Sequence, residues 1–193
     1  MRMKAKLTIL LCIVIHCIAF AQEEKHQKFN NIPINGEISE IIPQLEEKGF
    51  KHLRTKNGIA SFHGNLSGYR DIKVYAISLL KENCVYRICA VFGPSVDWDA
   101  IENCYNDLKV VLSIKYGKPK RVIEEISSDK QTKSSKFKAL INNNCNYVST
   151  FITNEGNINL TIDKYKKDKG AVFLYYDDKI NSKKAKEELV ENL

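Results

Sequence analysis

Phe50-Lys51-His52-Leu53-Arg54-Thr55-Lys56-Asn57-Gly58-Ile59-Ala60-Ser61-Phe62-His63-Gly64 reads as two strands folded back on an Asn-Gly pair. The tightest hairpin turn needs positive φ at both central residues. Asparagine tolerates that conformation and glycine adopts it freely, so the pair is a strong hairpin signal. Downstream, Ile72–Leu80 and Val85–Phe92 are strand-like runs joined by Lys81-Glu82-Asn83. The segment from Phe50 to Phe92 is thus predicted to be an antiparallel meander of about four strands.

Helical patterns stand on either side of it. Ile38, Ile41, Ile42 and Leu45 recur at i, i+3, i+4 and i+7 and are stopped by Gly49. Pro43 weakens that pattern, because an interior proline removes a hydrogen bond, and Ser39 is an alternative start. Asp97 is a good cap for a second helix, whose apolar line is Trp98, Ile101, Tyr105, Leu108, Val111 and Leu112, with Cys104 among them. Tyr116-Gly117-Lys118-Pro119 ends it, with glycine in the left-handed position and proline beyond.

Strands then return: Lys120–Ile126, Phe137–Ile141, Tyr147–Thr153, Ile158–Tyr165 and Ala171–Tyr176, with a polar loop over Ser127–Ser135 and turns at Glu155–Asn157 and Lys167–Gly170. Ile158, Leu160 and Ile162 alternate with Asn159 and Thr161, which predicts one buried and one wet face. Ser182 caps a short charged helix to Leu193. The fold class is α+β, an antiparallel sheet or sheets with helices on one face. It contains a possible tandem repeat of helix plus four-strand meander, with halves 32–93 and 94–181; one larger sheet is the alternative. The βαβ alternation of a parallel sheet is absent.

Before the domain, Arg2, Lys4 and Lys6 precede an apolar run from Leu7 and an Ala19-Phe20-Ala21 cleavage pattern. This reads as a signal peptide over residues 1–21, too short for a membrane span. Cleavage after Ala21 leaves 172 of the 193 residues, enough for one domain with a real core. Residues 22–31 read as a flexible leader and 32–193 as the domain. Three of the 30 basic residues and no acidic residue leave with the signal, so the net charge of +7 falls to +4. That mild excess gives no argument for nucleic acid, and no later stretch is apolar enough to span a bilayer. The expected location is the periplasm or cell surface.

Candidate chemistry is sparse. A two-residue turn at Asn57-Gly58 places His52 opposite His63 on one face, a possible metal or acid–base pair. No acidic neighbour completes a metal set there. The HExxH, P-loop, dinucleotide and Gly-x-Ser-x-Gly patterns are all missing from the sequence. Cys84, Cys89, Cys104 and Cys145 remain after cleavage, as disulfides or buried thiols. The strand period puts Cys84 and Cys89 on opposite faces, so they should not bond each other. Face favours Cys84 and distance favours Cys89 as a partner of Cys104. The basic runs Lys115–Arg121 and Lys164–Lys169, interleaved with Tyr116 and Tyr165, read as a solvated lysine surface. Asn65-Leu66-Ser67 and Asn159-Leu160-Thr161 match the glycosylation sequon.

Phe29-Asn30-Asn31-Ile32-Pro33-Ile34-Asn35-Gly36, Lys48-Gly49-Phe50, Lys115-Tyr116-Gly117-Lys118-Pro119, Gly156-Asn157-Ile158 and Tyr175-Tyr176-Asp177-Asp178-Lys179-Ile180-Asn181 together resemble a group of small exported proteins of Bacteroides-type gut bacteria. That group has no established activity, so the resemblance implies location and supplies no catalytic residue. The helix-plus-meander plan is also similar to the tandem architecture of beta-lactamase inhibitory proteins, an analogy of fold alone. The expected function is a binding or interaction protein without catalysis or cofactor, its partner an envelope protein or small ligand. A hydrolase or metal enzyme using His52 and His63 is the alternative.

Overall fold

A computed structural model describes residues 25–79, 81–127 and 132–191. A small ribbon comes first, β1 (Lys28–Phe29) paired with β2 (Ile32–Pro33). Helix α1 (Ile38–Glu47) follows, then the strands β3 (Lys51–Lys56), β4 (Ile59–Leu66), β5 (Tyr69–Ser78) and β6 (Val85–Ser95). The second half runs through α2 (Trp98–Tyr116), β7 (Arg121–Ile126), α3 (Lys133–Ile141), β8 (Cys145–Ile152), β9 (Gly156–Tyr165), β10 (Lys169–Asp178) and α4 (Lys179–Glu191). The fold is α+β, and strands β3 to β10 form a single eight-stranded antiparallel sheet in the order β3-β4-β5-β6-β10-β9-β8-β7. Each half contributes a meander, and the two meanders meet through their last strands. No described helix is long and apolar enough to cross a membrane.

Local chemistry explains most boundaries. Asn57 and Gly58 have φ of +50° and +71°, the turn their identities require. Ser67 and Gly68, at +51° and +86°, make a second such turn that lengthens β4 and β5 beyond their apolar runs. Helix α1 starts at Ile38 under a reciprocal cap, in which the Glu40 carboxylate accepts the Glu37 N–H and the Glu37 side chain accepts the Glu40 N–H. Ser39 therefore lies within the helix. Pro43 also lies inside it, on the exposed side. The Asp97 carboxylate accepts the Asp99 N–H at the start of α2, and Gly117 ends that helix at φ +80°.

Several expectations need correction. Phe137–Ile141 belongs to helix α3, whose Thr132 hydroxyl accepts the Ser135 N–H. The run is too short for its period to separate strand from helix. Residues 128–131 of the expected polar loop lie outside the described residues, as does residue 80. The last helix begins at Lys179, not after Ser182, because the Asp178 carboxylate accepts the Asn181 N–H at 2.8 Å and is its cap. Gly156 and Gly170 lie in strands rather than turns. Val111 faces solvent on α2.

Residues 25–31 are not a loose leader either. Phe29 is buried in the core and β1 pairs with β2. The fully buried Asp178 carboxylate accepts the Gln27 N–H (2.9 Å) and lies 3.0 Å from His26 Nδ1. Beside it the buried Asn181 amide donates to the carbonyls of Ile34 (3.1 Å) and Val85 (3.0 Å). These contacts tie the start of the domain to its end.

The main core lies on the helix side of the sheet and is one cluster from both halves. Ile41 and Leu45 of α1, Phe62, Val74 and Ile88 of the first meander, Ile101 and Tyr105 of α2, and Leu160 and Leu174 of the second all belong to it. Burial of each such side chain contributes about 1.5–3 kcal/mol. Gly170 marks where two helices sit down on the strands. A Cβ there would lie 2.4 Å from Leu140 Cδ2 and 2.8 Å from Ile101 Cδ1.

Candidate functional site

Strand pairing assigns every sheet residue to one of two faces, since cross-strand partners share a face. Phe62, Val74, Ala90, Val172, Leu174 and Ile162 point toward the helices and into the main core. On the other face, one cross-strand row is Ser61, Tyr75, Cys89, Tyr175, Asn159, Thr150 and Arg121. The next is His63, Lys73, Val91, Phe173, Thr161, Val148 and Ile123. At about 4.8 Å per strand the face spans roughly 34 Å.

At the centre of this face lies a second, smaller cluster: Cys89, Val91 and Ala171, buried beneath Tyr75, Tyr165, Phe173 and Tyr175. Every member comes from a strand and none from a helix. Phe173 and Tyr175 stack with ring centroids 6.1 Å apart at 8°. The four rings thus form a partly exposed aromatic layer that is its own cover.

A polar chain runs beside it across four strands. Arg87 of β6 donates to the Asp177 carboxylate of β10. Asn159 Nδ2 of β9 donates to the other Asp177 oxygen at 3.2 Å, and Thr150 Oγ1 of β8 donates to Asn159 Oδ1 at 2.9 Å. Arg87 also lies over the Tyr175 ring, 5.2 Å from its centroid. Cross-strand partners put Lys51, Arg54, Lys56 and Lys73 on the same face over β3–β5, whereas β8 and β9 offer Asn146, Thr150, Asn157, Asn159 and Thr161. The face is therefore basic on the β3–β5 flank, aromatic at the centre, and mixed on the β7–β9 flank, where amides and hydroxyls stand beside Arg121, Glu125 and Asp163.

The structure separates the two histidines. A bulge between His52 and Arg54 shifts the register, so that Lys51 pairs with His63 and His52 with Phe62. His52 turns toward the helix side, its ring 5.2 Å from that of Phe62 and its Nε2 3.0 Å from the Thr55 hydroxyl. His63 lies on the open face. Residues on opposite faces of one sheet do not share an ion or a proton, so the His52–His63 pairing is withdrawn.

The four cysteines of the described residues, Cys84, Cys89, Cys104 and Cys145, are free. Cys89 lies on the open face and Cys104 on α2 across the sheet, where helix-side packing holds it, so geometry forbids a bridge between them. Burial pushes the Cys89 thiol up to about 12, the Cys145 thiol to about 12 and the Cys104 thiol to about 11. Burial raises the Cys84 thiol as well. None is activated as a nucleophile. The sequon residue Asn159 is held in the polar chain, and Asn65 Oδ1 accepts the Asp71 N–H at 3.1 Å.

Sequence reasoning missed the contacts of His26 and the central aromatic layer. Alternation in β5, β6 and β10 was visible, but those strands carry apolar residues on both faces, which hides the second cluster. Compared with protein-family models, curated proteins and solved structures, the chain matches none.

Proposed function

We propose that the protein is an exported, non-catalytic binding module of the periplasm or cell surface, and that it engages its partner through the open sheet face. The observation that carries this reading is the aromatic layer of Tyr75, Tyr165, Phe173 and Tyr175, which covers a small buried cluster to which no described helix contributes a residue. Sheets packed on one side ordinarily turn a polar face to water. Here the centre is aromatic, the residue class enriched in interface cores, with charge and amides at the rim. Phe173 already packs against Tyr165 and stacks on Tyr175, and the polar chain is joined, so ordering these groups on docking costs little side-chain entropy. The basic, apolar leader ending in Ala19-Phe20-Ala21 supports export.

The test is affinity capture from envelope extract on immobilised residues 22–193. Three forms are compared: the native sequence, Lys73→Glu/Thr161→Glu beside the aromatic layer, and Glu46→Lys/Glu47→Lys on the solvent side of α1. Retention by the first and third with loss from the second is the expected result. Equal retention by all three rules out the sheet face as the binding surface, and no partner under any condition overturns the binding role.

A further inference from the structure

A cleft of about 1170 Å³ opens at one end of the molecule, away from the aromatic layer, between the N-terminal segment, the end of α2 and the β8–β9 turn. Three lysines from two separate elements line it: Lys25, Lys28 and Lys115. Among the described residues no carboxylate lies within ion-pair distance of any of them. Glu155 is the single carboxylate of the lining. Set against two carboxylates, Glu155 and the buried Asp178 behind His26, the three lysines still leave the cleft with an excess of one positive charge.

His26 also lines the cleft. Its contact with the Asp178 carboxylate requires Nδ1 to carry the proton, which fixes the ring's tautomer and orientation. The wall between the charges is Tyr116, over whose ring the Lys115 ammonium sits at 4.9 Å, together with Ile152. Like charges brought together around a concave space repel one another unless an anion fills it. A space of this size suits a small organic molecule.

We infer that this cleft is a binding site for a small organic anion carrying two or more phosphate or carboxylate groups, held by Lys25, Lys28 and Lys115 and stacked against Tyr116. The site is independent of the sheet face and stands or falls apart from it.

Isothermal titration of residues 22–193, which contain every core residue, tests the inference with inorganic pyrophosphate, citrate and glucose as probes at fixed ionic strength. Pyrophosphate or citrate is expected to bind and glucose is not. Lys28→Glu/Lys115→Glu is expected to weaken anion binding at least about tenfold with the urea midpoint unchanged, while Lys48→Glu/Lys186→Glu, which removes the same charge outside the cleft, binds as the native chain does. Absence of binding by both anions to ~10 mM, or equal weakening by the two double variants, overturns it.

Discussion

Asp178 shows how much one side chain determines here. Its carboxylate caps α4, accepts the Gln27 N–H and orients His26, all without exposure to water. Asp178→Ala leaves buried donors unmatched and the helix uncapped, and is expected to cost about 2–4 kcal/mol, read as a lower urea midpoint with unchanged slope. Cys89 and Cys104 make a pH-dependent contribution. The unfolded chain releases their protons near the ordinary thiol value of 9.0, while the folded state retains them to about 12 and about 11. Stability is therefore complete below that ordinary value and falls as the pH climbs through the alkaline range. Cys89→Ala/Cys104→Ala is expected to flatten this alkaline loss in urea titrations at stepped pH. Alkylation of unreduced, denatured polypeptide 22–193 is expected to add one label at each of its four cysteines, because none is bridged.

At the scale of the element, helix α1 carries a defect that its sequence already announces. Pro43 has no N–H to give the Ser39 carbonyl, although the helix continues to Glu47. Pro43→Ala restores that bond at an exposed position. Interior proline costs about 3 kcal/mol and its rigidity in the unfolded chain returns about 0.4–1, so a gain of about 2 kcal/mol is expected in chemical denaturation. Gly170→Ala is expected to act oppositely. Its methyl would press on Leu140 of α3 and Ile101 of α2, lowering the thermal midpoint through two helices at once. The first meander was legible because Asn57-Gly58 dictates a turn whatever surrounds it. The register beyond the turn was not, since the bulge at Leu53 is imposed by pairing with β4 and leaves no mark in the composition. Helix α3 was obscured for another reason: in so short a run Phe137, Leu140 and Ile141 fit the helical period while Phe137, Ala139 and Ile141 fit the strand period. The open face escaped notice because period-2 alternation reveals two faces without saying which one the helices will cover.

For the molecule as a whole, the decisive fact is that both meanders drain into one core. Phe62 and Val74 share a cluster with Leu160 and Leu174, and the sheet is continuous through β6 and β10. A single cooperative transition is expected for residues 22–193 by circular dichroism and intrinsic fluorescence. Either half alone, 22–95 or 96–193, is expected to show no such transition, because each would leave a central strand edge and half a core in water. A fragment that melted sharply by itself would refute that unity.

The pairing of β6 with β10 also sets a timetable. Arg87 finds Asp177 ninety positions further along the chain, so a growing chain has Val85–Ser95 in hand long before its neighbour has been made. Until Lys169–Asp178 arrives near the end of the polypeptide, that ribbon is an open invitation to any passing strand. Nascent chains stalled before Lys169 are accordingly expected to be protease-sensitive and bound by holding chaperones, and those extended past Asn181, once Asp178 can seize the first residues of the domain, to resist digestion. Birth order makes the oldest part of this protein wait for the youngest.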